Sequence, residues 1–366
     1  MEDEITPHPI KITINQNPDQ NDKHCSSILT RLHAGYFRIT LSLGAQALLW
    51  KTLVDQTHKS LALQRVLRTL PSTAILLLWW LSLFTQLTLS LLYLLRCVRH
   101  FHMVKAEFSH YVGVNYLFAP WISWLLLLQS APSVVPKIIS YRIIWVFILP
   151  VVVLDVKIYG QWFTTEKRLL SIFANPTSQI SVIGNLAGAW AAAEMGWRES
   201  AVCIFTLGAT HYLVVLITLY QRLSGSCRIP ARLRPVYFLF VAAPSMGSLA
   251  WNSIRGSFDT SCKMLFFFSL FLFTSLACRP ALFKKSMKKF SVAWWAYSFP
   301  VSFLALASAE YAQQVKGVVA PGIMLVLSVL SILVFLCLMV FTAFNTNLLF
   351  RENDPNFNNS SGNTID

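Results

Sequence analysis

Ten apolar runs divide this chain, each near the roughly 20 residues that a helix needs to cross a bilayer. They fall near 34–52, 70–95, 111–130, 138–156, 176–194, 200–221, 235–254, 263–279, 290–310 and 321–346. Polar segments join them. A chain so divided must satisfy its backbone inside each run, so helices are expected throughout. Composition agrees: of 366 residues 55% are hydrophobic and 13% charged, with a mean hydropathy of +0.54. A soluble domain carries roughly 25% charged residues. The expected fold is an all-α membrane protein of ten transmembrane helices spanning 34–346.

The ends differ from this body. Residues 1–33 are rich in Asn, Asp and Gln and carry Pro7, Pro9 and Pro18. They cannot bury a core and read as a disordered tail without a signal-peptide apolar region. Residues 347–366 form a short Asn-rich tail in which Asn358 and Asn359 begin N-x-S sequons.

The net charge of +14 would suggest nucleic acid in a soluble protein. Here the cations lie between apolar runs, so orientation and attraction of anions explain them better, and no nucleic acid is expected. The two tails and the loops after even-numbered runs hold 19 of the 30 Lys and Arg, including Lys284, Lys285, Lys288 and Lys289. Loops after odd-numbered runs hold 10, and Arg38 lies early in the first run. The positive-inside rule then puts both termini in the cytoplasm, with the lysine block at a cytoplasmic entrance.

Odd and even runs differ in kind. Even runs are continuous grease. Odd runs are interrupted by small, polar or proline residues: Ser42 and Gly44 in the first, Pro120 in the third, Gly184 and Gly188 in the fifth, Pro244 and Ser245 in the seventh, Ser298 and Pro300 in the ninth. Small residues let helices approach closely, and polar ones need a wet or protein-lined side. The alternation suggests five helical hairpins, each giving one inner and one outer helix, around a narrow conduit in each protomer. A solid bundle with small residues as packing seams is the alternative. Pro300 removes an N–H and crowds the carbonyl of Ala296, so a kink is expected beside Phe299. Pro120 and Pro244 suggest further kinks.

No enzyme motif appears: neither G-x-S-x-G, nor H-E-x-x-H, nor a Walker loop. His100, His102 and His110, with Glu107 nearby, read as loop residues rather than a metal site. A Cys203–Cys262 disulfide is conceivable only if both lie outside. Few ionisable groups lie deep in the runs, which favours passive passage over proton-coupled pumping. Glu194 and Glu310, near the outer ends of runs five and nine, remain open.

Four stretches carry a family resemblance: Ala34-Gly-Tyr-Phe-Arg-Ile-Thr-Leu-Ser-Leu-Gly-Ala-Gln-Ala-Leu-Leu-Trp-Lys, Asn115-Tyr-Leu-Phe-Ala-Pro-Trp, Gln179-Ile-Ser-Val-Ile-Gly-Asn-Leu-Ala-Gly-Ala and Phe290-Ser-Val-Ala-Trp-Trp-Ala-Tyr-Ser-Phe-Pro. They resemble the plant slow-type anion channels, relatives of bacterial tellurite-resistance and dicarboxylate-transporter proteins. The resemblance implies a plasma-membrane homotrimer with a nitrate- and chloride-conducting pore in each protomer, no cofactor, and Phe299 as the gating ring. Members opened by phosphorylation carry long tails, whereas Ser26 and Ser27 are the only serines in this N-terminal tail. A non-conducting subunit assembling with longer relatives, and an organic-anion carrier for molecules such as malate, are the alternatives.

Overall fold

The structure, a computed structural model, describes residues 29–57, 72–110, 112–132, 137–164, 175–223, 231–288, 290–315 and 317–346. The expectations placed on residues 1–28 and 347–366, including Ser26, Ser27 and the sequons at Asn358 and Asn359, lie outside the described residues, as does Lys289.

Ten helices of eleven residues or more are found among the described residues. They are α1 (Arg38–Thr57), α2 (Ser72–Arg99), α3 (Ala119–Gln129), α4 (Lys137–Thr164) and α5 (Gln179–Glu194), then α6 (Arg198–Leu223), α7 (Leu239–Arg255), α8 (Thr260–Ala277), α9 (Trp295–Gln314) and α10 (Val319–Phe344). Six helical segments are long and apolar enough to cross a membrane: Thr73–Arg99, Arg142–Thr164, Arg198–Gln221, Thr260–Ala277, Val292–Gln314 and Val319–Phe344. A bent pair, Phe101–Ser109 with Gly113–Gln129, makes seven if it is one span. Of the remaining inner helices α5 has 16 residues and α7 has 17, while α1 has 20 but carries Arg38, Gln46, Lys51 and Asp55. Their apolar sequence continues backwards into short turns that are not part of the helix.

Those turns are the fold's repeating device. Ala34–Phe37, Pro176–Ser178, Ala231–Phe238 and Val292–Trp294 are 3₁₀ turns, and Gly113–Tyr116 is a single helical turn. Each leads into an odd-numbered helix. Tight turns of this type suit helix N-termini, where the first N–H groups have no partner in the helix. Side chains supply some of those partners. His33 Nδ1 accepts from Gly35 N–H at 3.1 Å, and Asn175 Oδ1 accepts from Thr177 N–H at 3.2 Å.

The odd-numbered helices pack in a closed ring: α1 on α3, α3 on α5, α5 on α7, α7 on α9, and α9 back on α1. Their lead-in turns touch in the same order, so all five N-termini gather at one end. Each even-numbered helix packs on the odd helix before it and also touches the odd helix after it. Burial separates the two sets. Within its most apolar window α9 is 94% buried, while α2 is 11% buried. The side chains of Leu77, Phe84, Val98 and Val326 lie open on the outer helices. Such exposure is stable only against lipid.

Polar side chains inside the bundle are tied across helix seams, as a low-dielectric surrounding requires. Gln46 Nε2 of α1 donates to Ser302 Oγ of α9 at 3.0 Å and to Ser331 Oγ of α10 at 2.7 Å. Thr40 and Ser123 hydroxyls meet at 2.9 Å, joining α1 to α3. Trp79 Nε1 of α2 donates to the Leu127 carbonyl at 3.1 Å. Close approach also needs missing side chains. A Cβ on Gly208 of α6 would sit 2.9 Å from Cβ of Asn185 on α5. Cys203 and Cys262 are free thiols, Cys203 exposed and Cys262 buried.

Candidate functional site: the interior of the five-helix ring

Helical register identifies which side chains face the ring interior. On α1, Thr40 turns to α3 while Ser42 and Gln46 turn to α9. The face left between them carries Arg38, Leu41 and Ala45. On α5, a Cβ at Gly184 would meet Phe118 and Val151, and one at Gly188 would face Ile204 and Ile148. The opposite face carries Gln179, Ile183 and Trp190. On α9, Ser302 turns to α1 and α10, and Tyr297 packs on Phe238 and Phe283. Phe299 and Phe303, one turn apart, form the remaining face.

A contact across the ring supports this register. Phe303 of α9 meets Trp190 of α5 edge-on, with ring centroids 6.2 Å apart. These two helices are not adjacent in the ring, so the rings meet through its interior. Phe299 packs on Phe303 at 4.8 Å, and both are buried. Aromatic pairs at such distances gain about 0.5–1.5 kcal/mol beyond their burial.

The N-terminal end of the ring is polar and basic. Five helix N-termini bring their partial positive charge together there. Arg38 and Gln179 are buried, and Lys284, Lys285 and Lys288 stand exposed on short turns that pack against Ala231–Phe238. One buried ion pair fastens this end. Glu107 accepts from Ala34 N–H at 2.8 Å, from Arg96 Nη1 at 3.1 Å and from the Tyr93 hydroxyl at 3.3 Å. Arg96 also donates to the Leu32 carbonyl. His110 Nδ1 accepts from Val112 and Gly113 N–H, fixing the lead-in turn before α3.

At the opposite end, two carboxylates grip the last turn of α7. Glu194 accepts from Ser253 Oγ at 2.5 Å, and Glu310 accepts from Asn252 Nδ2 at 3.2 Å. A carboxylate at a helix C-terminus is unfavourable by itself, and these donors offset it. Lys51 donates to the carbonyls of Gln129 and Ala131, both at 2.9 Å, where a cation suits the end of α3. Between α7 and α8, Asp259 caps α8. Burial pushes its carboxyl up, but the Cys262 N–H and Trp251 indole bonds outweigh that and hold it below the usual carboxylate range.

The other expected site residues are placed as follows. Ser42 donates to the Trp295 carbonyl at 3.2 Å. Gly44 faces Leu126 and Ser82. Ser245 and Ser269 hydroxyls meet at 2.5 Å. These three positions, with Gly184 and Gly188, lie at helix–helix contacts, whereas Ser298 Oγ is buried without a partner among the described residues. Pro120 is in the first turn of α3, where a missing N–H costs little, and its carbonyl accepts from Gln86. Pro244 and Pro300 lie inside α7 and α9, each assigned as one helix. Sequence reasoning missed Phe303, Trp190 and the Arg96–Glu107 pair. Phe303 follows Phe299 by four residues, a spacing that was available as a signal.

A model of the voltage-dependent anion channel family matches residues 31–343. The chain belongs to that family. It is 60% identical over 330 residues to the S-type anion channel SLAH1 of Arabidopsis thaliana, covering 90% of this chain and 85% of the relative. It is 59% identical over 327 residues to S-type anion channel SLAH4 of the same plant, covering 89% and 87%. Against the guard cell S-type anion channel SLAC1, also of Arabidopsis thaliana, identity is 42% over 306 residues. That match covers 83% of this chain but 54% of the relative. The protein is therefore a multi-pass helical membrane protein of the plant S-type anion channel group, and not an enzyme.

Proposed function

We propose that the protein is a passive channel for nitrate and chloride, with one passage through the interior of the five-helix ring in each protomer. In this reading all ten long helices cross the membrane as five hairpins, the short inner ones completed by their lead-in turns. Both termini are cytoplasmic in a plasma-membrane homotrimer, and the exposed lysines at the N-terminal end concentrate anions. Residues 1–33 and 347–366 are tails outside the channel body, except that Leu29, Leu32 and His33 are buried against it.

The observation that carries the reading is the aromatic contact through the ring. Phe303 and Trp190 meet between non-adjacent helices, with Phe299 packed on Phe303, which supports a constriction at that level. Phe299 is the gate ring, supported by Phe303 one turn on. Gln46 holds the seam of α9 with α1 and α10 three residues from Phe299, which positions that ring. By the same register Glu194 and Glu310 continue the interior faces of α5 and α9, but at the far end, where Ser253 and Asn252 donate to them, so among the described residues of these faces no carboxylate stands at the level of Phe299 and Phe303.

Voltage clamp of oocytes expressing the chain alone, with nitrate and then chloride outside, tests the proposal. Wild type is expected to pass little current at rest, and Phe299→Ala a larger, anion-selective one. Background current from a Phe299→Ala protein present at the surface would refute the gate. Assembly with a longer relative is a second reading, resting on the likeness to the guard cell channel over 306 residues. It requires wild type to be silent alone and to change its partner's selectivity on co-expression.

A further inference from the structure

Arg38 is a cation in an unusual position. It is the first residue of α1, it shares the interior-facing stripe with Leu41 and Ala45, and only 6% of its surface is exposed. Its Nε donates to the Gly35 carbonyl at 2.9 Å, and its guanidinium lies 4.9 Å over the ring of Tyr116 in the lead-in turn before α3. Its Nη1 is buried and meets no acceptor among the described residues. The buried carboxylate of this end, Glu107, is engaged by Ala34 N–H, Arg96 and Tyr93. A guanidinium withdrawn from water without a counter-charge is costly, and an aromatic face offsets only part of that cost. A second polar group nearby in the ring has the same deficit. Gln179 opens α5, lies on its interior face and is fully buried, and neither its Nε2 nor its Oε1 has a partner among the described residues. The lead-in turn carrying Tyr116 packs on the turns before both α1 and α5.

We propose that Arg38 is the centre of an anion-binding subsite at the N-terminal end of the ring, taking a small monovalent inorganic anion such as nitrate or chloride. The inference rests on the channel reading for its physiological ligand. The site combines the free Nη1, the amide of Gln179 and the partial positive charge of the gathered helix N-termini. Because Nε is already committed to Gly35, the guanidinium cannot offer its full fork. It therefore holds the ion loosely enough for onward passage. The subsite lies on the lysine side of Phe299 and collects ions before the constriction.

The test uses the purified full chain in detergent, with thermal unfolding followed in sodium nitrate, sodium chloride and sodium gluconate at matched ionic strength. Nitrate and chloride are expected to raise the wild-type unfolding temperature saturably over gluconate. Arg38→Gln is expected to raise the half-saturating nitrate concentration about ten-fold or more, as loss of a charged hydrogen bond implies. Arg38→Lys keeps the charge without the planar fork and should weaken binding several-fold; it carries the test if the glutamine variant does not fold. Gly160→Ala, on the outer helix α4 where an added Cβ meets nothing within 4 Å, should leave the half-saturation unchanged. Equal stabilisation of wild type and the Arg38 variant, or none specific to small anions in wild type, overturns the subsite. Arg38-dependent stabilisation in a protein that passes no anion current would leave the subsite standing and remove the channel reading instead.

Discussion

Removing the Glu107 carboxylate should be among the most damaging single changes in the chain. Its side chain is 1% exposed and that of Arg96 4%, so water screens neither. Three donors converge on it, and two of them, Ala34 N–H and Arg96, tie the lead-in turn before α1 to the end of α2. In Glu107→Ala the Arg96 guanidinium loses its counter-charge and Ala34 N–H its acceptor. Breaking a buried pair by deleting one partner costs about 3–5 kcal/mol. Spread over a body of this size, that is a fall of roughly 5–15 °C in apparent melting temperature. Glu107→Gln keeps an oxygen for Ala34 but can place an amide donor against Arg96, so a smaller loss is expected. The decisive variant is the double Arg96→Met/Glu107→Leu, which removes both charges together. Replacing a buried pair by apolar groups is often neutral, so it should recover more than half of the loss. Fluorescence-detected size exclusion of detergent extracts heated at one fixed rate measures all of them. A double variant less stable than either single would refute the argument from uncompensated charge.

Four further outcomes are expected. Phe303→Ala should raise resting anion current, and Phe299→Ala/Phe303→Ala more than either alone; whole-cell clamp at matched surface expression decides, and a double variant no different from Phe299→Ala would remove Phe303 from the gate. Gly208→Ala forces a Cβ to 2.9 Å from the Asn185 Cβ and should cost about 1–3 kcal/mol, whereas Gly160→Ala meets nothing within 4 Å and should be neutral or stabilising in the same melting assay. Asp259→Ala removes the cap of α8 and should cost about 1 kcal/mol. Because the folded carboxyl titrates below its usual range, Asp259 stabilises above the unfolded-state pKa, and its contribution fades as pH falls through the folded value. Wild type and Asp259→Asn should therefore converge in melting temperature on acidification, and a gap constant with pH would contradict the assignment.

The helical class and the division into greasy and interrupted runs were legible in the sequence because each follows from local composition. An outer helix such as α2 must be apolar along its length, since lipid offers no hydrogen bonds. The roles of the small residues were less legible. Ser42, Gly44, Gly184 and Ser245 signal close approach, but a one-dimensional pattern does not say whether the approaching partner is water or another helix. In the structure each of them meets a neighbouring helix. Glu194 and Glu310 were ambiguous for a related reason. Their partners, Ser253 and Asn252, lie on α7, far from both in sequence and polar in a way common to many helix ends.

The seams and the interior follow one logic. A ring of five helices has a wide centre unless the helices approach closely, and close approach consumes the small side chains at the seams. What remains on the inward faces is then large: Trp190, Phe299 and Phe303 at one level, Arg38 and Gln179 at the N-terminal end. The short inner helices fit the same geometry. A 16-residue helix rises about 24 Å, less than the roughly 30 Å hydrocarbon core. The missing length is supplied by lead-in turns that carry their own backbone partners. Those turns lead into Arg38 and Gln179, the first residues of α1 and α5, and keep both inside protein. A charged group can be held there only because the ring, and not lipid, surrounds it. Aromatic packing at one level and buried polarity at the next are thus two consequences of the same tight ring.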